Sequence, residues 1–419
     1  MFFGWRVVGA AFLLAVWSSD FGLYSLSIYL VALQHDHGWS ASAISFAITG
    51  YYLVGALLMS RLGEALRRLG TLHTSLTGIA AMAGGVFALA CVSHLWQLYL
   101  AFAAMALGWA TTSSAAITIL LAPWFERRRG LALSLALLGA PAGGLIVAPA
   151  LLTLVGMLGF RWGVAVALIG MLAALVPAVA LTLRRTPADL GLSPDGAAVP
   201  DHADAGCAAS SAPGVPPLNS QDRTEPLRTT RYWTISLAFA AAFTAQIGIL
   251  THLVAYLTSF RGAGGAALAL SVTTASALLG RLALGLWVDR LPLRHVSCAV
   301  FLAQAVGVGF LTFANTGPAL YAGCALFGVG VGNVVTLPGL LVQREFRPEY
   351  FARVVSWIAA TNQVTFAFGP SILGVLRDLT GSYGAALGFA VALDVGAAAL
   401  ILMGSRAPSL AVRHVLADR

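Results

Sequence analysis

An all-α polytopic membrane protein, with twelve transmembrane helices arranged as two six-helix bundles, is the fold class this chain predicts. Three observations lead there: the bulk composition, a twelvefold recurrence of apolar runs, and the placement of the arginines. Of 419 residues, 59% are hydrophobic and 10% charged, and the mean hydropathy is +0.85, far outside the soluble average. Apolar runs of about 20 residues, the length that crosses roughly 30 Å of hydrocarbon as helix, occur at 7–33, 43–62, 72–92, 95–121, 130–155, 162–183, 231–257, 266–288, 295–314, 318–342, 352–376 and 383–404. Membrane strands would alternate apolar and polar residues over about ten positions, whereas these runs are continuous.

The arginines test the helix count independently. All 24 basic residues are arginine. If the N-terminus, alternate loops and the C-terminus share one side, that side collects twenty of them, the other side three (Arg161, Arg261 and Arg377), and Arg281 falls inside a span. By the positive-inside rule both termini are expected to be cytoplasmic. A miscounted helix would scramble this alternation. The net charge of +8 then reflects topology and contact with an anionic leaflet, which argues against nucleic acid as a partner. The first span is too long for a signal h-region and is expected to direct insertion itself.

Much other chemistry is unsupported. Cys91, Cys207, Cys298 and Cys324 are isolated, without a CxxC pair. The eight histidines form no metal-spaced cluster, and no phosphate-binding loop is present. No metal or cofactor is expected, and no enzyme constellation is visible. ATP-driven transport has no support in this chain.

The chain reads as residues 1–183 in one bundle, a linker over 184–230, 231–404 in a second bundle, and a tail over 405–419. The linker is rich in Pro, Ala, Ser and Asp and nearly free of large apolar residues, so it cannot bury a core; a regulatory segment is the alternative. The bundles echo one another. Gly63-Glu64-Ala65-Leu66-Arg67-Arg68-Leu69-Gly70 joins spans 2 and 3, and Gly285-Leu286-Trp287-Val288-Asp289-Arg290 joins spans 8 and 9. PWFERRRGLALS before span 5 matches QREFRPEYFARVVS before span 11, and GAPAGG resembles FGPSILG. Two parallel repeats suit an alternating-access carrier with its site at their interface.

Arg281 is the candidate anchor of that site. It interrupts an apolar stretch and lies eight residues before Asp289, about 12 Å along the helix. An intramembrane cation is costly, about 2.5–3.5 kcal/mol on insertion scales, and marks a functional site by default. Its planar fork can grip both oxygens of a carboxylate. Trp17, Asp20, Tyr24 and Ser27 follow a 3-4-3 spacing in span 1 that predicts one polar stripe, with Asp20 the candidate proton carrier. His252 in span 7, Thr112 in span 4, Asn333 in span 10 and Asn362 in span 11 are further candidates for substrate contact. Packing between helices is the competing role for each, and it is the role favoured for Asp394 in span 12.

These strings resemble the major facilitator superfamily along the whole chain apart from linker and tails. Its signature is a short basic loop, Gly-x-x-x-Asp-Arg-x-Gly. The second copy keeps Gly285, Asp289 and Arg290, while in the first, with Gly63, Arg68 and Gly70, Arg67 stands where the family has aspartate. Within the superfamily the chain is similar to the monocarboxylate transporter and oxalate:formate antiporter branch. The strings that carry this are Gly4-Trp5-Arg6, His37-Gly38-Trp39-Ser40, Trp124-Phe125 with Arg129-Gly130, Arg184 to Gly196, Gly280-Arg281-x-x-x-Gly285, Gly369-Pro370, and Asp378-x-Thr380-Gly381-Ser382-Tyr383. The resemblance implies that Arg281 binds the substrate carboxylate.

Dicarboxylate carriers of this branch have a second cation in span 11, where this chain reads Ala360-Thr361-Asn362-Gln363, and some proton-coupled members have an aspartate where Ala277 stands. The expectation is therefore a small monocarboxylate of the lactate or pyruvate kind, moved with a proton by a monomer. The alternatives are an organic-anion antiporter, a drug or cation exporter of the same fold, and, least favoured, a non-transporting sensor. The Ala, Gly and Arg usage points to a bacterial inner membrane.

Overall fold

The computed structural model describes residues 2–184, 187–190, 195, 225–287, 290–313, 317–347 and 350–404. Most of the expected linker, the tail and Asp289 of the second basic loop lie outside these. Among the described residues there is no strand. The described helices assemble into twelve passes: α1 (4–37), α2 (41–59), α3 (71–89), α4 (95–121), α5 (129–158), α6 (160–182), α7 (230–261), α8 (263–287), α9 (293–313), α10 (317–345), α11 (351–380) and α12 (384–403). Each overlaps its expected span, because hydrocarbon thickness sets both the apolar run and the helix length.

Glycines set the turns. Gly38, Gly159, Gly262 and Gly381 all have positive φ, between 66° and 78°, where a Cβ would be strained. They end α1, α5, α7 and α11, which are equivalent positions in the two sets of six, all on one face of the molecule. The other face carries residue 4, the Arg61–Arg68 segment, Arg127 to Arg129 and Arg290. We call these the opposite face and the basic face.

The GAPAGG and FGPSILG strings mark equivalent crossings. A Cβ at Gly143 of α5 would collide with the Val16 carbonyl of α1, and one at Gly369 of α11 with the Thr244 carbonyl of α7. Small residues let membrane helices approach this closely. Several long spans are broken. α1 contains a π-helical turn over Asp20–Tyr24, α4 breaks at Ser113, and α11 is interrupted between Phe366 and Gly369. Large apolar side chains such as Ile146, Met157, Ile169 and Phe313 remain exposed around the outside, where lipid tails would cover them.

The two sets share a core on only one side. One apolar cluster runs through the first six helices and continues into the opposite-face halves of the last six, through Leu250, Leu257, Leu270, Phe327 and Leu373. The basic-face half of the last six has a separate cluster around Phe239, Phe301, Leu341 and Ile358. Hydrogen bonds between the sets follow the shared core. The Ser42 N–H donates to Asp378 Oδ2 at 2.7 Å, Thr49 Oγ1 meets Ser371 Oγ, and Ser371 Oγ donates to the Ser45 carbonyl at 3.2 Å. The molecule is thus sealed between α2 and α11 at the opposite face, while toward the basic face the described residues of the two sets share no core cluster.

Candidate functional site

Arg281 lies where the two cores begin to separate. α8 brings it against α10, and its Nε donates to the Gly332 carbonyl at 3.0 Å. That approach needs a glycine: a Cβ at Gly332 would collide with the Ala277 carbonyl one turn before Arg281. Among the described residues no hydrogen bond or ion pair engages the two terminal nitrogens, and no carboxylate pairs with the guanidinium. The side chain is neither fully buried nor open. The result is a positioned cation whose fork is available to an anion.

Two of the nominated residues stand with it. Tyr24 of α1 is buried and within Coulombic reach of Arg281. Gly144 of α5 makes room for it, since a Cβ there would lie 2.5 Å from Thr274 Cγ2 and 2.7 Å from Tyr24 Cδ2. Thr274 is seven residues, or two turns, ahead of Arg281 on the same face of α8. Asn333 follows the carbonyl that holds Arg281. Its Nδ2 donates to the Val329 carbonyl at 2.9 Å, while its Oδ1 is buried with no partner.

Asp20 is fully buried. The Ser25 hydroxyl donates to Oδ2 at 3.2 Å, and Oδ1 has no partner. The 3-4-3 spacing expects an unbroken α-helical stripe here, but the chain makes an i→i+5 turn, with the Ser25 N–H donating to the Asp20 carbonyl at 2.8 Å. One extra residue per turn brings Ser25 back to Asp20 and alters the register between Asp20 and Tyr24. π-turns are scarce and concentrate at functional sites. The Tyr29 hydroxyl is also buried without a partner, and Tyr29 lies within electrostatic reach of Asp20.

His252 belongs to the sealed seam. Its Nε2 lies 3.0 Å from the Pro370 carbonyl and 3.2 Å from Ser45 Oγ, and its Nδ1 lies 3.2 Å from Tyr383 Oη. A carbonyl can only accept, so Nε2 carries a proton, and in the neutral imidazole Nδ1 then accepts from the tyrosine. Counted from the Gly262 turn, Arg281 is nine residues deeper than His252, about 13 Å along the helices. The two are therefore not brought together. Thr112 turns its hydroxyl onto the Gly108 carbonyl of its own helix at 2.7 Å. Asn362 is buried on α11 with Oδ1 unpartnered. Asp394 is fully buried, and neither oxygen accepts a hydrogen bond.

In the first basic loop, Arg67 and Arg68 both bond Glu64, which restores a carboxylate one turn before the position where Arg67 replaces the usual aspartate. All three are solvent-accessible, so these pairs contribute little. Gly63 and Gly70 flank them, and Gly70, with φ 76°, turns the chain into α3. In the second loop Gly285 and Arg290 are exposed.

Residues that sequence reasoning passed over complete the picture. Gly332, Ser42, Ser45, Thr49 and Ser371 carry the contacts described above, and the serines and threonine of α2 recur at helical spacing, the one signal that could have flagged them. Arg294, counted as one more basic-side arginine, is instead buried and ties four helices together. It donates to Glu345 at 2.7 and 2.6 Å, to the Ile401 carbonyl at 2.7 Å and to Thr234 Oγ1 at 3.2 Å.

Residues 12–370 match the family model of the Major Facilitator Superfamily. The human protein named monocarboxylate transporter 11 is 28% identical over 411 residues, covering 91% of this chain and 78% of that protein. A Saccharomyces cerevisiae protein named uncharacterized transporter ESBP6 is 30% identical over 192 residues, 44% of this chain and 28% of its own length. Among solved structures, the nucleoside transporter NupG superimposes with a TM-score of 0.73 at 14% identity, covering 97% of this chain and all of that one. A bacterial homologue of the human lysosomal transporter Spinster, described as inward-facing and occupied, gives 0.65 at 16% identity over 96% of each chain. With twelve helices in this arrangement and a family match across most of its length, the chain belongs to the major facilitator superfamily of membrane transporters.

Proposed function

We propose that the protein is a proton-coupled carrier of small monocarboxylates, of the lactate or pyruvate kind, working by alternating access between two six-helix units. The observation that carries this reading is Arg281, a lone intramembrane guanidinium held through Nε by Gly332 while its terminal nitrogens have no partner among the described residues. One fork suits one carboxylate, and binding would neutralise the charge so that the units can rock at less desolvation cost. Tyr24, Thr274 and Asn333 line the approach.

Asp20, buried with one free oxygen, is the proposed proton carrier. A carboxyl there is most readily accommodated in its neutral form, which makes its ionisation sensitive to what occupies the neighbouring site. The basic face is the proposed cytoplasmic face of a bacterial inner membrane, and the seam between α2 and α11 then closes the outer side. The similarity to monocarboxylate transporter 11 supports the same substrate class.

The test is reconstitution into proteoliposomes, with labelled pyruvate, L-lactate and oxalate, with and without a pH gradient. Pyruvate or lactate accumulation that follows the gradient is expected. Arg281→Gln should lower kcat/KM by about 10- to 100-fold, the worth of a charge-assisted hydrogen bond. Asp20→Asn should uncouple uptake from the gradient. Gradient-independent exchange in the unmodified protein would make it an antiporter, and uptake of lipophilic cations without carboxylates would make it an exporter. Unchanged carboxylate transport by Arg281→Gln would sink the central claim.

A further inference from the structure

Opposite the basic face, an open cleft of about 500 Å³ lies directly over the sealed seam, between the ends of α1 and α2 and those of α7 and α11. Gln34, His35, Trp39 and Ser40 line one wall, and Thr258 and Arg377 the other. The volume lies within the range of small-molecule sites. Arg377 is one of three arginines the sequence assigns to this face, and its Nη1 donates to Asp378 Oδ1 at 2.8 Å. Asp378 commits its other oxygen to the Ser42 N–H. The neighbouring carboxylate, Asp36, is bonded to His35 Nδ1 at 2.9 Å. Asp378 thus has both oxygens committed, and Asp36 has one oxygen on His35. Nε and Nη2 of Arg377 have no partner among the described residues, and its side chain is 38% exposed. Trp39, stacked on His37 with ring centroids 4.5 Å apart, offers a rigid apolar surface beside this cation.

We propose that this cleft is a recruiting site for small organic carboxylates, in which Arg377 takes the carboxylate and Trp39 the organic part before the seam opens. The proposal rests on the reading of the protein as a carboxylate carrier but concerns a second site, separated from Arg281 by the closed seam. The free edge of the Arg377 guanidinium offers an incoming carboxylate charge-assisted hydrogen bonds at the surface of the cleft. Arg377 uses one nitrogen on Asp378, so an incoming carboxylate meets the remaining edge of the fork without first displacing the aspartate. The bound anion then lies against the residue whose neighbour holds α2 and α11 together.

The experiment uses the full chain labelled with 5-fluorotryptophan, with the Trp39 resonance identified by its loss in Trp39→Phe, and pyruvate as probe. In Arg281→Gln protein, whose central site is disabled, pyruvate should still shift the Trp39 resonance saturably. Adding Arg377→Gln should weaken the midpoint at least tenfold, and Arg377→Lys should fall between. In proteoliposomes Arg377→Gln alone should lower kcat/KM for pyruvate about fivefold. No shift in Arg281→Gln protein, or a midpoint unaffected by Arg377→Gln, overturns the recruiting site while leaving the carrier reading intact. Failure of the unmodified protein to transport or bind any carboxylate overturns both.

Discussion

Asp378 of α11 accepts a 2.7 Å hydrogen bond from the backbone N–H of Ser42 in the first turn of α2. A carboxylate from one set of six helices thereby caps a helix N-terminus in the other, where unsatisfied N–H groups and the helix dipole favour negative charge. Ser40 caps the same turn from within, through Oγ to the Ala43 N–H at 3.2 Å.

Removing the trans cap should loosen the seam. Loss of an N-cap costs about 0.5–2 kcal/mol, so Asp378→Ala should shift the balance between open and sealed forms by roughly 2- to 30-fold. Ala41 is fully buried in the seam. A cysteine there, in a chain freed of its native cysteines, should react faster with an impermeant maleimide from the opposite face once Asp378 is Ala. Equal labelling rates would show that the cap does not hold the seam.

At Arg281 the geometry of the fork matters as well as the charge. Lysine keeps the cation but has no Nε to bond Gly332 and no second planar nitrogen for a carboxylate. Arg281→Lys should therefore recover only a fraction of the activity lost in Arg281→Gln, with the deficit in kcat/KM. Full recovery in a transport assay would argue that charge alone suffices.

Gly332→Ala tests the support of that arginine. The added methyl meets the Ala277 carbonyl, and overpacking of this kind costs about 1–3 kcal/mol. Thermal denaturation in detergent should show a lower midpoint, and substrate affinity should fall with it as the Gly332 carbonyl moves from Arg281. An unchanged midpoint would mean that α8 and α10 can separate freely.

Arg294 and Glu345 form a buried pair, with side chains 7% and 17% exposed. Removing one partner from such a pair costs about 3–5 kcal/mol, because the other charge is left without compensation. Arg294→Gln should destabilise the last six helices strongly, while Arg67→Gln, on the exposed loop, should change stability very little. Comparable melting shifts for the two variants would contradict the burial argument.

Asp195 offers a pH test outside the membrane. Its carboxylate accepts hydrogen bonds from the N–H groups of Arg127 at 2.7 Å, Glu126 at 3.2 Å and Arg128 at 3.3 Å, at the start of α5. These bonds, Arg127 first, hold its pKa below the ordinary carboxylate range. A depressed pKa means that the contact is fully present above about pH 4, the ordinary value, and is lost as pH falls through the lowered one. Amide exchange at residues 126–128, corrected for intrinsic rates, should stay slow from pH 7 to 5, rise only in stronger acid, and be fast at pH 7 in Asp195→Ala. Loss of protection already at pH 6 would assign it to another group.

The number and lengths of the membrane passes were legible from the sequence because hydrocarbon thickness imposes a one-dimensional constraint that each run meets by itself. The echo between GAPAGG and FGPSILG was legible too, since close crossings demand small residues wherever they recur. Arg281 could be singled out from sequence because a cation in an apolar run is conspicuous without any knowledge of its neighbours.

Which residues stand with Arg281 depends on helix rotation and depth, and those are set between helices. The π-turn at Asp20–Tyr24 changed the expected stripe, since one extra residue shifts every later side chain around the axis. His252, which the sequence nominates for substrate contact, finds Pro370, Ser45 and Tyr383 from three other segments, and no local pattern encodes that meeting. Arg294 shows the same limit: composition counts it among the basic-side charges, and only packing makes it a buried partner of Glu345. The sequence by itself determined a twelve-helix membrane protein with one arginine deep inside a span. Tertiary structure decided where the two sets join, on which side they share no core, and what surrounds that arginine, because contacts between helices far apart in the chain set all three.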